Sequence, residues 1–232
     1  MSNNNNKLLH KLKRWLIYSI LLFVGFTSLV VIVLGFLPIN TSAFMVQQHI
    51  TDFKADKAYT SVKQDWIKRA NISPHIFSAV VASEDQLFYQ HHGFDFDSIF
   101  SALKKRSSGG KIRGASTISQ QVAKNLFLSP SRSLWRKGFE VWFTLLIELF
   151  WSKERILLTY VNIAEFGDHL FGVQAASKHY FAIPAKKLSP QQAALLAASL
   201  PNPILFKVDK PTEYLLEKKQ WILRQMRNLN YI

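Results

Sequence analysis

The sequence predicts a mainly α-helical domain, exported behind one N-terminal transmembrane helix. Residues 15–37 form an apolar run without a single charge. Beyond it, helix-start signals recur at Ser73, Thr117, Ser133, Ser152, Ser189 and Thr212. Strand signals are scarce.

The apolar run reads WLIYSILLFVGFTSLVVIVLGFL. As a helix it extends about 35 Å, enough for a hydrocarbon core of about 30 Å with some tilt. Lys7, Lys11, Lys13 and Arg14 precede it, and no Lys or Arg follows until Lys54. That asymmetry predicts a cytoplasmic tail over 1–14 and everything after Pro38 outside. A cleaved signal peptide is the rival reading, but its apolar region is shorter, about 7–15 residues, and LPINTSAF is a poor cleavage site.

Of the 232 residues none is cysteine, so a disulfide frame and a thiolate metal site are excluded. Twenty-five of the 29 Lys and Arg lie beyond the anchor, against 15 acidic residues, an excess near +10. A basic surface suits nucleic acid, anionic lipid or a phosphate-bearing substrate. Outside the cytoplasm it more plausibly meets lipid headgroups or a lipid-borne phosphate, and no nucleic-acid partner is expected.

Residues 38–70 read as a polar connector and 71–232 as the domain. Ser73-Pro74 is an N-cap with Pro at the first helical position, and Gly93 closes that helix. Residues 104–114, KKRSSGGKIRG, read as a mobile surface loop. Thr117 and Gln120 make a capping box. Ser133 opens an apolar helix to Trp151. Ser152 caps the next, which stops near Gly167. Ser189-Pro190 starts PQQAALLAASL, ended by Pro201. Thr212 starts a final amphipathic helix with Leu216, Leu223, Met226 and Leu229 inward.

Within this frame Glu84 continues the four-residue steps of Ile76 and Val80, and Phe88 follows by four more. A carboxylate on that apolar stripe is partly desolvated, a setting that suits proton transfer. A helix-end carboxylate satisfied by a backbone or Arg partner would read the same way. Asp85 faces elsewhere. His91 and His92 match no common metal spacing with Glu84 and read instead as caps for carbonyls.

Downstream, Ile118, Val122 and Leu126 form a buried stripe, with Thr117, Gln121 and Lys124 on a polar face. A Lys among amides and hydroxyls at a helix start can hold phosphate or sugar hydroxyls; a solvated face is the bland alternative. Arg132, Arg136 and Lys137 then cluster ahead of Glu140, which is embedded in apolar residues. That helix is too short to cross a bilayer. It is a core helix, or one lying at a membrane surface.

These blocks in this order resemble the peptidoglycan glycosyltransferase family. The match is to EDxxFxxHxG over 84–93, GxSTIxQQxxKN over 114–125, R…RKxxE over 132–140, YVNIAEFGDHLFGVQAASKHYF over 160–181, and LLAASLPNP ending at Pro203. It covers about residues 70–230. The chain ends where bifunctional relatives begin a transpeptidase domain, and Leu158-Thr159 stands where many of them carry an acidic residue. Both points fit the monofunctional branch.

The resemblance implies a lysozyme-like α-helical fold with a small membrane-proximal subdomain in the bacterial inner membrane. It implies polymerisation of lipid II into β-1,4-linked glycan, with inversion and release of undecaprenyl pyrophosphate. Glu84 would be the general base and Glu140 the second essential carboxylate. Lys124, Arg132, Arg136 and Lys137 would stabilise the leaving pyrophosphate. Asp85, Ser116, Gln120, Gln121 and Asn125 would shape the sugar and phosphate sites. A divalent cation, Mg²⁺ or Mn²⁺, is the one cofactor expected, without a self-contained protein cage; no organic cofactor is. Partners would be lipid II, the growing glycan, membrane lipid, and cell-wall synthesis or division proteins. A lytic, lysozyme-like enzyme and a non-enzymatic binder of anionic lipid are the rival readings.

Overall fold

The computed structural model describes residues 2–56, 59–107, 116–131 and 133–230. The chain divides into two units, Met1–Leu37 and Pro38–Ile232. The first is a single helix, α1 (Ser2–Phe36). Its stretch Leu9–Phe36 is long and apolar enough to cross a membrane.

The second unit is mainly helical. It contains α2 (Ala43–Lys54), α3 (Pro74–Glu84), α4 (Phe96–Ser107), α5 (Ile118–Phe127), α6 (Leu134–Phe150) and α7 (Lys153–Ile163). After a small hairpin, β1 (Glu165–Gly167) and β2 (Leu170–Phe171), come α8 (Val173–Phe181), α9 (Pro190–Ser199) and α10 (Glu213–Asn228). The strands pair antiparallel, Glu165 opposite Phe171, with an irregularity before Gly167. Lys63 bridges to Leu170 alongside.

Local chemistry explains most helix starts. Thr117 and Ser189 each form a reciprocal capping box, with Gln120 and Gln192. Ser133, Ser152 and Thr212 cap α6, α7 and α10 through their side chains. Ser73 departs from this pattern: it makes no side-chain cap, and its hydroxyl donates to the Leu188 carbonyl at 2.8 Å.

Two helical layers make the core. In one, α3 packs on α9 and α9 on α10. Ala193, Ala194, Ala197 and Ala198 of α9 are wholly buried, so small side chains let the backbones approach. In the other, α5 packs on α6 and α7.

Five expectations change. Residues 38–70 are not merely a connector: Ser42 caps α2, which packs on α5. Asp52 Oδ2 lies 2.5 Å from His169 Nε2. Gln64 donates to the carbonyls of Ile39 and Asn162. Next, α3 stops at Glu84 rather than at Gly93, because Asp85 leaves the helix to bond elsewhere. Residues 96–107 form α4, capped by Asp95, whose carboxylate accepts from Ser98 and is lowered below the usual range by those bonds. Residues 104–107 of the expected loop thus belong to α4, and its remainder, 108–114, lies outside the described residues. Finally, α7 stops at Ile163, before the hairpin, and α10 buries Leu215 and Ile222, leaving Leu216 exposed.

Candidate active site

Glu84 sits at the last turn of α3, half-buried. Its Oε1 accepts from the Ser83 hydroxyl at 3.1 Å. Its Oε2 accepts from Gln121 Nε2 at 3.1 Å. Gln121 Oε1 in turn accepts from the Tyr160 hydroxyl at 3.0 Å. Tyr160 is buried, and burial followed by the nearby Glu84 charge pushes its phenol well above the ordinary value. Glu84 is therefore held by neutral donors and keeps lone pairs for a reacting hydroxyl.

Asp85 points the other way. It is 7% exposed, and its Oδ2 accepts from the Ile118 amide at 2.9 Å. His91 Nε2 lies 3.0 and 3.1 Å from its two oxygens. A carboxylate on the first amide of α5 satisfies an orphan donor and complements the helix dipole. Asp85 thus fixes the start of α5 relative to the end of α3. His91 pairs with a carboxylate rather than capping carbonyls, and His92 is exposed.

Gly93 completes this corner. Its φ is +86°, and a Cβ there would lie 2.9 Å from Thr144 Cγ2 and 3.0 Å from Glu148 Cγ. Its carbonyl accepts from Thr117 Oγ1 at 2.6 Å. The turn after Glu84 therefore joins α3, α5 and α6, and Phe88 fills it, fully buried.

Glu140 forms the second cluster. It is 3% exposed and accepts from Arg136 Nη1 at 2.7 Å and from Lys137 Nζ. Lys124 stands between the two carboxylates electrostatically. Burial lowers its ammonium pKa; Glu140 and, more weakly, Glu84 oppose the shift, while Arg136 and Lys137 add to it. Its Nζ lies 5.5 Å from the centre of the Phe44 ring. Phe44 belongs to α2, so the segment expected as a connector reaches the site.

The remaining expected residues are placed unevenly. Gln120 is buried in the capping box, so it holds the start of α5 rather than facing open space. Ser116 is exposed just before α5. Asn125 is buried, with no described partner for Oδ1. Arg132 lies outside the described residues. Tyr160, Ser83 and Phe44 were not expected at the site. Tyr160 had a sequence signal, the YVNIAEFG block; Ser83 and Phe44 had none.

Residues 49–227 match the sequence family described as Transglycosylase. The chain belongs to the transglycosylase family. Among its relatives are proteins named biosynthetic peptidoglycan transglycosylase. That of Haemophilus influenzae is 52% identical over 199 residues, 85% of this chain and 81% of the relative. That of Mannheimia succiniciproducens is 49% identical over 213 residues, 90% and 87% of the two chains. That of Pectobacterium carotovorum is 46% identical over 230 residues, 98% and 94%. This transglycosylase is a glycosyltransferase by family, and its two carboxylate clusters fall within the matched region.

Its donor atoms do not fit a resident Mg²⁺ or Mn²⁺. Among the described residues no three His, Asp or Glu side chains gather as a metal set. Glu140 is committed to two protein cations and Asp85 to His91 and an amide.

Proposed function

We propose that this transglycosylase polymerises lipid II into linear β-1,4-linked peptidoglycan glycan, with Glu84 as general base. The observation that carries this reading is the arrangement of Glu84, held by neutral donors, beside Lys124 and the Arg136–Lys137–Glu140 cluster.

In this reading the Glu84 carboxylate takes the proton from the 4-hydroxyl of the incoming unit. That oxygen forms a bond to the anomeric carbon of the growing chain as the bond from that carbon to the pyrophosphate breaks. The electron pair leaves on undecaprenyl pyrophosphate, and the anomeric centre inverts. A pyrophosphate leaves readily once its charge is balanced, so cations matter more than a strong acid. Lys124, Arg136 and Lys137, with Arg132 by sequence, supply that charge, and Glu140 holds Arg136 and Lys137 together. Ser116, Gln121 and Asn125 line or support the sugar and phosphate sites; Asp85 and Gln120 act by fixing α5.

The outward side of α6 supports a membrane-proximal placement. Leu134 and Trp135 are 91% and 85% exposed, next to Arg136 and Lys137 in sequence, and Leu149, about 18 Å further along α6, is 71% exposed. Aromatic and basic residues together suit a lipid surface, where a lipid-borne donor is presented. The charge asymmetry around α1 supports a single-pass anchor in the bacterial inner membrane, with the tail cytoplasmic and the catalytic unit outside. Cell-wall synthesis or division proteins are the partners this placement suggests.

The test is lipid II polymerisation by the full chain in detergent. Wild type should lengthen glycan, and Glu84→Gln should lose about 10²–10⁴-fold in rate while remaining folded. Shortening of preformed strands without growth would instead establish a lytic enzyme, and an active Glu84→Gln would remove the base assignment.

A further inference from the structure

We propose that Tyr160 and Gln121 are positioning residues for Glu84: Tyr160 fixes which end of the Gln121 amide faces the carboxylate, and so maintains the donor that holds Glu84 ready to accept a proton. This rests on the reading of Glu84 as general base.

The geometry is a chain of three side chains from three helices. Tyr160 on α7 donates to Gln121 Oε1 at 3.0 Å, and Gln121 on α5 donates through Nε2 to Glu84 on α3 at 3.1 Å. The two ends of a glutamine amide are chemically opposite, one accepting and one donating. Reversed, the amide would aim its oxygen at the Glu84 carboxylate and repel it. The hydroxyl of Tyr160 prevents that by occupying the oxygen end with its only proton. Burial and the Glu84 charge keep the phenol protonated, so it remains a donor across the working pH range. The link is neutral throughout. It supports the carboxylate without the ion pair that a lysine would form, which would weaken the base.

Among the described residues, the other charges near this link lie on α5 and α6: Lys124, and the Glu140, Arg136 and Lys137 that act on it. Lys124 on α5 acts on Glu84 from beside Gln121. Asp85 is turned to His91 and Ile118. The α9 helix packed on α3 carries no charged side chain, and α10 meets the end of α3 through Gln225 on Gln86. Tyr160 therefore has one charged target, reached through one amide.

The test is the pH profile of kcat/KM for lipid II polymerisation by the full chain in detergent. Tyr160→Phe deletes only the hydroxyl. It should move the acid limb up by about one pH unit and lower kcat/KM roughly tenfold on the acid side, the worth of one hydrogen bond to a charged group. Gln121→Met should do the same. In the double variant, Tyr160→Phe should add nothing to Gln121→Met, because it acts only through that amide. An acid limb that stays put in Tyr160→Phe, or a double variant that multiplies the two single losses, overturns the proposal. Glu84→Gln is assayed in parallel. If it is inactive while the Tyr160→Phe limb stays fixed, only the link fails; if it is active, the base reading fails with it.

Discussion

Glu140→Gln tests whether the second carboxylate organises the cations of the site. The substitution keeps shape and one acceptor but removes the charge shared by Arg136 and Lys137. Breaking a buried ion pair from one side costs about 3–5 kcal/mol. That figure needs discounting here: Lys137's side chain is 47% exposed, so water takes up part of its loss, whereas Arg136's is 17% exposed. About 2 kcal/mol remains, which lowers the melting temperature by roughly 4–8 °C in a domain of this size. A second readout follows from Lys124. Its pKa is already depressed by burial, and Glu140 is the strongest influence opposing that. Without the Glu140 charge Lys124 gives up its proton at lower pH, so the alkaline limb of the polymerisation rate moves down. Differential scanning calorimetry and a pH series of lipid II polymerisation measure both. A melting temperature within 1 °C of wild type, together with an unmoved alkaline limb, would refute the charge-organising role.

Lys124→Met removes a desolvated ammonium while Glu140 keeps two cations; the melting temperature should hold or rise, and polymerisation should fall about 10²–10³-fold. A stability loss without an activity loss contradicts this. Gly93→Ala forces a side chain to φ +86° and against Thr144 and Glu148; strain and overpacking together should cost about 2–5 kcal/mol in urea unfolding. A neutral result means the α3–α5–α6 corner is not tight. Glu165 has its pKa raised to about 7, by burial and then Asp168, with His169 opposing. A raised folded value means its contribution is whole at acid pH and is lost as pH rises through about 7. Glu165→Gln should therefore be more stable than wild type at pH 8, by about 1–2 kcal/mol after allowing for partial exposure, and should show no such gain near pH 4.5. Equal gains at both pH values would exclude this titration.

Much of this architecture was legible because it is local. Thr117, Ser133, Ser152, Ser189 and Thr212 each bond an amide three residues on, so a short window of sequence contains the whole interaction. The Ile118, Val122 and Leu126 stripe is local in the same sense. The motif blocks also placed the charged residue types and the family. What escaped depends on remote partners. The α2 helix gains its place from Asp52 on His169 and from Phe44 beneath Lys124, residues far along the chain. α3 ends early because Asp85 bonds Ile118 and His91, which no helical period reveals.

The candidate site divides along the same line. Sequence by itself determined that carboxylates at 84 and 140 and cations at 124, 132, 136 and 137 are present in a helical chain whose N-terminal helix is long and apolar enough to cross a membrane. Spacing along one helix brings Arg136 and Lys137 within a turn of Glu140, but it determined nothing about contacts between helices. Tertiary packing decided that Gln121 meets both Glu84 and Tyr160, that Asp85 turns inward, and that the buried Lys124 feels the charges of both Glu140 and Glu84. The physical reason is that a hydrogen bond or ion pair depends on a few ångströms of separation, and those ångströms are set by how α3, α5, α6 and α7 pack, not by their order along the chain.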